Sequence, residues 1–366
     1  MSGGVDSSVA AARLCDEGFD VVGCTLHLWD YPESGPGSHA RCCAPEDQYD
    51  ARRVADMLGF PHFTFDRRAL FAKNVVEPFV DAYIAGETPS PCTTCNRTVK
   101  LRELFDIADK LGAELVATGH YARTTDGQLF AGRDPNKDQS YFLYATPPEM
   151  LRRMLFPLGE STKEQVRAEA VARKLPGAGK GESQELCFVG DGAGAYTRFV
   201  EERAKPRLRP GPIVDESGQV VGAHDGIHRF TVGQRKGLGV VTRGTSDEPA
   251  FVTRIESATA TVHVGARSDL GATSATLRDV VLASDVQLPR EALARVRYRH
   301  TGVRAVADGP SRPQSDLEGP SRPQSDLEGT SLRFVDGASA VSPGQVAVLY
   351  DGDRVLGGGV IAEVTR

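Results

Sequence analysis

The first eight residues, Met1-Ser2-Gly3-Gly4-Val5-Asp6-Ser7-Ser8, run straight into Val9-Ala10-Ala11-Ala12-Arg13-Leu14. Adjacent glycines permit backbone angles that other residues resist. The Ala-rich run behind them is a good helix former. The stretch therefore reads as a tight loop feeding a helix N-terminus. Backbone N–H groups in such a loop converge on one point, and the helix dipole adds positive potential there, which is what phosphate needs. The closing Gly-Lys-Ser/Thr of a Walker A loop is absent. A capped helix after a glycine turn is the plainer reading, and the full string Ser2 to Ser8 favours the nucleotide one. A loop of this kind normally follows an apolar strand. Nothing precedes Met1, so the expectation is that Met1 is not the natural start and that the first strand of the sheet is missing.

The rest of the N-terminal half alternates strands and helices. Residues 7–17 form a helix ending at Gly18, and Asp20 to Leu28 holds a short buried strand. The Gly/Pro/Ser-rich residues 32–38 form a loop. Pro45 to Leu58 begins with Pro and acids and stops at Gly59, as helices do. Pro61 to Phe65 is a strand, Ala69 to Ala85 one amphipathic helix, and Thr88 to Asn96 a loop before a helix to Leu111. Glu114 to Thr118 is a strand ending in Gly119-His120. Such alternation implies a parallel sheet with helices on both faces and ligands at the carboxyl ends of its strands. Helices are expected from Ser161 to Lys174 and over 194–204, separated by the Gly/Lys stretch 177–181. From Pro206 the pattern turns to short Val/Ile-rich runs punctuated by Gly, Asp and Ser, which reads as all-β, barrel-like modules. The decamer at 309–318 recurs unchanged at 319–328. It carries too little apolar area to offset ordering, so it is expected to be a disordered insertion in a hairpin loop.

Composition narrows the class. At 366 residues the chain is long enough for two or three domains. No apolar run approaches the roughly 20 residues of a membrane span, and no basic apolar leader is present, so the default location is cytoplasmic with no membrane association. The net charge of −6 argues superficially against nucleic acid. Yet three stretches, 203–214, 227–246 and 294–304, carry four basic residues each and no acid, a distribution that suits a phosphate-tracking surface. Three unrelated solvated faces would give the same pattern.

Seven cysteines without a signal sequence point to thiol or metal chemistry rather than a disulfide scaffold. Cys92 and Cys95 form Pro91-Cys92-Thr93-Thr94-Cys95-Asn96, just before a helix, and a thiol at a helix N-terminus is activated as the thiolate. Cys187 stands alone after the Gly-rich stretch. Cys15 and Cys24 read as core residues, and the adjacent Cys42-Cys43 make a poor metal pair. A zinc site lacks its second half. An iron–sulfur cluster held by Cys92, Cys95 and Cys187 stays open as an alternative to simple thiol chemistry.

With these residues placed, Ser2–Ser8 resembles the SGGxDS pyrophosphate loop of the N-type ATP pyrophosphatases. The chain as a whole resembles the tRNA-specific 2-thiouridylases over nearly its full length. The stretches that carry the likeness are Ser2–Ser8, Pro91–Asn96, Ala117–Arg123, Asp138–Leu143, Glu182–Gly190, His228–Gly239 and Gly357–Ile361. The resemblance implies an α/β catalytic domain like the adenine nucleotide alpha hydrolases over 1–205, a small tRNA-contacting central domain over 206–270 and a C-terminal β-barrel over 271–366, interrupted by 309–328. It implies ATP-dependent replacement of oxygen by sulfur at carbon 2 of the wobble uridine. ATP, with Mg²⁺, would bind at Met1, Ser2, Gly3, Gly4, Val5, Asp6, Ser7, Leu26 and Gly119, and no protein-held metal is expected. Cys95 matches the nucleophile and Cys187 the persulfide-bearing cysteine; Cys95 either attacks that persulfide to free the sulfur or resolves the disulfide afterwards. His120, Lys137, Asp138, Gln139, Arg297, Tyr298 and Gln345 match positions that touch tRNA. A cysteine desulfurase or sulfur-relay protein would supply the persulfide. Cys92 stands where many members carry an acid. Other pyrophosphate-loop ligases, and a metal-stabilised RNA-binding protein with a degenerate loop, are the competing readings.

Overall fold

The computed structural model describes residues 1–30, 45–181, 186–190, 192, 194–239, 249–309 and 329–366. The 32–38 loop, Cys42-Cys43, residues 182–185, Arg243 and all of the repeat after Gly309 lie outside the described residues. The chain divides into two compact units.

The first unit holds residues 1–76, 91–195 and 353–355. Helix α1 (Val5–Asp16) starts at Gly4, and α2 (Pro45–Leu58) occupies the expected span. Strands β1 (Gly23–His27) and β2 (His62–Asp66) run parallel, in register from Gly23 opposite His62 to His27 opposite Asp66. Strands β3 (Val116–Ala117) and, further along, β6 (Met154–Leu155) form a second parallel pair. Met1 lies alongside β1: its amino group donates to the Cys24 carbonyl, and the Thr25 hydroxyl donates to the Met1 carbonyl at 2.7 Å. One face of α1 buries Val5, Val9, Ala10 and Ala12 against Tyr121, Leu158, Val166 and Leu175. Each large apolar side chain so buried stabilises the fold by about 1.5–3 kcal/mol. Arg13 on α1 reaches Glu169 at 2.6 Å and the Pro157 carbonyl at 2.7 Å, fixing the helix that bears the loop.

Two local expectations need correction. Ala69 to Ala85 is not one helix. It breaks into an α-turn at Arg68–Phe71, a π-helical turn at Ala72–Val76 and an α-helix at Glu77–Ile84. Residues 77–90 belong to the second unit, where Phe79 meets Phe199 edge-on at 6.2 Å and Tyr83 stacks on Tyr196 at 5.2 Å. The strand signal around residue 120 continues as a hairpin that sequence periodicity did not reveal, β4 (Ala122–Thr125) with β5 (Gln128–Ala131). Its outer strand pairs with Arg354 and Val355, far along the chain.

The second unit is β-rich, as expected. Strands β7 (Gly211–Val214), β8 (Val220–His224), β9 (Phe251–Glu256) and β10 (Thr261–Gly265) form a four-stranded sheet in the order β8-β7-β10-β9. Strands β11 (Gly271–Leu282), β12 (Arg290–Arg295), β13 (Val303–Asp308), β14 (Ser331–Ser339), β15 (Val346–Asp351) and β16 (Arg354–Thr365) follow in the order β11-β14-β13-β12-β15-β16. Pairing of β11 with β16 closes them into a barrel, which removes the exposed edges of an open sheet. Alternate inward residues such as Ala275, Leu277, Ala305, Leu332, Phe334 and Leu349 fill it. No helix among the described residues is long and apolar enough to cross a membrane.

Candidate active site

The loop at the start of α1 has the geometry of an anion nest. Gly4 is the N-cap, and no side chain caps the helix. The serines bond within the loop instead. The Ser2 N–H donates to Ser7 Oγ at 3.1 Å, while the Ser7 and Ser8 hydroxyls donate to the Gly4 carbonyl at 3.1 and 3.0 Å. The first-turn N–H groups of α1 are thus without a side-chain acceptor, the arrangement that receives phosphate oxygens. Gly3 has φ +71°, and a Cβ there would fall inside the Asp47 carbonyl. Gly119 closes the loop from the β3 side: a Cβ would stand 2.9 Å from Ser7 N and 3.0 Å from Asp6 C. Both glycines are therefore required by close backbone approach. Leu26 is buried in β1, and Met1 is half-buried beside it.

Asp6 is held by two groups that the sequence did not flag. Lys163 Nζ donates to its carboxylate oxygens at 2.7 and 2.8 Å, and the Tyr121 hydroxyl donates to Oδ1 at 2.8 Å. Lys163 is buried at the first position of the helix Lys163–Ala172, which Thr162 and Gln165 close with a reciprocal capping box. The capping signature was readable; the long-range contact was not. An uncapped helix start, two glycines and a buried lysine fit the phosphates of ATP.

His120 lies beside this loop. Its Nδ1 is 2.8 Å from the Thr118 hydroxyl, and burial, with Lys100 adding to it, pushes the imidazole down to about 3. It is a neutral hydrogen-bonding group at working pH. Gln139 is bonded at both ends to Tyr121: the Tyr121 N–H donates to Gln139 Oε1 at 3.0 Å, and the Gln139 N–H donates to the Tyr121 carbonyl at 2.8 Å. Asp138 is buried, and its Oδ1 accepts from the Gly132 and Ser140 N–H groups at 3.0 Å each. Its carboxylate shapes the loop, and the half-buried Lys137 next to it carries the positive charge.

The cysteines are placed differently from expectation. Helical structure begins at Pro91, so Cys95 ends a five-residue α-turn that passes into a π-helical turn, Asn96–Lys100, and then the helix Leu101–Leu111. Pro suits the first helical position and starts the helix early. Cys95 therefore sits beyond the first turn, where the dipole effect is concentrated. Cys95 is buried and Cys92 exposed. The π-helical turn Ala72–Val76 packs against the Cys95 turn. Cys187 is half-buried, and its neighbour Phe188 meets Phe71 edge-on at 5.5 Å, directly before that same turn. Both candidate thiols belong to the first unit, Cys95 on the turn that packs against Ala72–Val76 and Cys187 beside the Phe188 that meets Phe71. Among the described residues, no three His, Cys, Asp or Glu side chains converge as a metal site would require.

In the second unit Arg297 is exposed and Tyr298 half-buried after β12, and Gln345 Nε2 donates to the Thr88 carbonyl at 2.8 Å. The basic stretches are less unopposed than sequence suggested. Arg207 pairs with Asp81 at 2.7 Å, Arg229 with Glu201 at 2.5 Å and Arg304 with Asp336 at 2.9 Å, the acids coming from distant segments. Arg203 lies 3.7 Å from the Phe199 ring centroid, while Arg235 and Lys236 are exposed.

Comparison with known proteins agrees with this architecture. Residues 1–191 match the family model "tRNA methyl transferase HUP domain", 197–266 the "tRNA methyl transferase PRC-barrel domain", and 314–361 the "Aminomethyltransferase beta-barrel domain". A tRNA-specific 2-thiouridylase from Sorangium cellulosum is 57% identical over 370 residues, covering 100% of this chain and 92% of that protein. Those of Geotalea uraniireducens and Thermus thermophilus are each 43% identical, covering 99% of this chain and 93% of theirs. Full-length identity at this level, together with a family model that matches residues 1–191, shows that the chain belongs to the tRNA-specific 2-thiouridylase family.

Proposed function

We propose that this protein replaces the 2-oxygen of the wobble uridine in tRNA with sulfur, using ATP and a cysteine persulfide. The observation that carries the reading is the coexistence, in one unit, of an open pyrophosphate nest at Gly3-Gly4 and the two cysteines Cys95 and Cys187. Hydroxide is a poor leaving group from C2, so the oxygen must first be activated. Uridine O2 attacks the α-phosphorus of ATP, the bond to the bridging oxygen breaks, and pyrophosphate leaves. The loop N–H groups and Lys163 stabilise the negative charge that develops on the leaving group. Mg²⁺, entering with the triphosphate, would supply further charge neutralisation.

Sulfur transfer then runs between the two thiols. The terminal sulfur of a Cys187 persulfide attacks C2, and AMP departs with the former O2. The Cys95 thiolate attacks Cys187 Sγ, the S–S bond to the nucleoside breaks, and 2-thiouridine is released with a Cys95–Cys187 disulfide left behind. An external dithiol reduces that disulfide. In the variant sequence Cys95 attacks the persulfide first and frees hydrosulfide for the attack on C2. Lys137, His120, Gln139, Arg297, Tyr298 and Gln345 are the proposed tRNA contacts, with Asp138 shaping the loop that presents Lys137. A desulfurase or relay protein supplies the persulfide. A methyl-transfer reading would leave both the nest and the thiols without a task.

Substitution of the cysteines separates the steps. Cys187→Ser is expected to bind ATP and tRNA but carry no persulfide and form no 2-thiouridine. Cys95→Ser is expected to load sulfur on Cys187 yet fail to complete turnover, and Cys92→Ser to keep substantial activity. Equal inactivity of all three, with joint loss of bound iron, would replace this scheme with a cluster mechanism.

A further inference from the structure

The segment that leads to Cys187 is tied to the pyrophosphate loop before it reaches the thiol. At Gly177 a Cβ would stand 3.2 Å from the Gly3 carbonyl oxygen and 3.5 Å from Asp50 Oδ2. Three residues on, Lys180 Nζ reaches Asp47 Oδ1 at 2.7 Å and Asp50 Oδ2 at 2.6 Å. Both carboxylates lie at the start of α2 and are 8% and 12% exposed. The Asp47 backbone carbonyl is also the group against which Gly3 packs. Loop, helix start and approach segment therefore close on one another. Lys180 bridges the two carboxylates, and Asp50 also has Arg53 at 3.6 Å; burial pushes Asp47 up and Lys180 opposes that.

On the other side of Cys187 a second anchor operates. Phe188 is buried and meets Phe71 and Trp29 edge-on, at 5.5 and 6.2 Å. Lys180 lies seven positions before Cys187 in sequence, and Phe188 directly after it.

We infer that Lys180 is a positioning residue for sulfur transfer: its ion pairs with Asp47 and Asp50 hold residues 177–180 against Gly3, and this fixes the base from which the Cys187 persulfide is presented to the adenylated uridine. The inference rests on the sulfur-transfer reading above. Adenylation uses the nest and needs no thiol, so loss of the Lys180 tie separates two rates. A residue serving the fold or nucleotide binding would slow both.

The test is a single turnover of enzyme preloaded with persulfide on Cys187, mixed with tRNA and ATP, with pyrophosphate and 2-thiouridine followed in one sample. In Lys180→Met, pyrophosphate release is expected within about twofold of the parent rate, and 2-thiouridine formation slower by about tenfold or more. Lys180→Arg is expected to restore most of the second rate, because it keeps the charge. Asp47→Asn/Asp50→Asn removes the tie from the other side and is expected to give the same split, which guards against a Lys180→Met chain that folds poorly. Parallel slowing of both rates in both variants, or unchanged thiolation, would overturn the inference. A parent enzyme that releases pyrophosphate but never forms 2-thiouridine would overturn the sulfur-transfer reading itself.

Discussion

Gly3 and Gly119 show how single residues define this site by what they lack. A methyl at either position enters space already held by backbone atoms, of Asp47 in one case and of Asp6 and Ser7 in the other. Gly119→Ala is expected to cost about 1–3 kcal/mol, the usual range for overpacking, and to weaken ATP binding because the displaced atoms are those of the nest. A thermal melt with an ATP titration checks both; unchanged affinity would show that Gly119 is not part of the nucleotide site. Lys163 makes the complementary case. Lys163→Met leaves Asp6 facing the bound phosphates without its cation. The expected stability loss is about 1–3 kcal/mol, below the range for a fully buried pair because Asp6 is partly exposed. The pyrophosphate-release rate is expected to fall further than stability alone explains, and a variant that releases pyrophosphate at the parent rate would contradict this role.

At the scale of elements, legibility followed the range of the interactions. The nucleotide loop, α2 and the parallel strands were readable because glycines, caps and apolar runs are local signals. The break at Ala72–Val76 was not, because the chain changes unit there and Phe79 and Tyr83 meet Phe199 and Tyr196, residues distant in sequence. The β4–β5 hairpin has a local signal in Asp126-Gly127, both at positive φ between paired strands; only the pairing of β5 with residues more than 200 positions away lay beyond local reading. Asp138 looked like a surface contact by position, yet its oxygen is committed to backbone amides that no spacing rule exposes. Lys180 and Lys163 acquire their meaning only through residues distant in sequence. The same logic bears on the decamer repeat. Asp308 on β13 pairs directly with Ser331 on β14, so the chain leaves and re-enters the barrel at one point. Deleting 310–328 leaves Gly309, Gly329 and Thr330 to connect the strands, a length hairpins use. Thiolation is expected to change by less than about twofold, since closure entropy varies slowly with loop length. A drop beyond about tenfold would assign the repeat a contact with tRNA or a partner.

For the whole molecule, buried and half-buried histidines weaken the fold in mild acid. His62, His120, His224, His228, His263 and His300 are all held below their ordinary value, each chiefly by burial. The unfolded chain takes up protons near pH 6.5 that the folded chain refuses, so stability is full above about that pH and falls as the pH drops below it. Asp47, pushed up, works in the opposite sense at lower pH. Calorimetry from neutral pH down to about 5 is expected to show a steady fall, and a flat curve would contradict it. The central claim is that the pyrophosphate nest and the two thiols serve one reaction on tRNA. The most direct measurement is mass spectrometry of nucleosides from tRNA incubated with the full chain, ATP, Mg²⁺ and a persulfide donor. The account expects sulfur in place of oxygen at carbon 2 of the wobble uridine, dependent on ATP and abolished by Cys187→Ser. Thiolation that proceeds without ATP, or that survives Cys187→Ser, would contradict it.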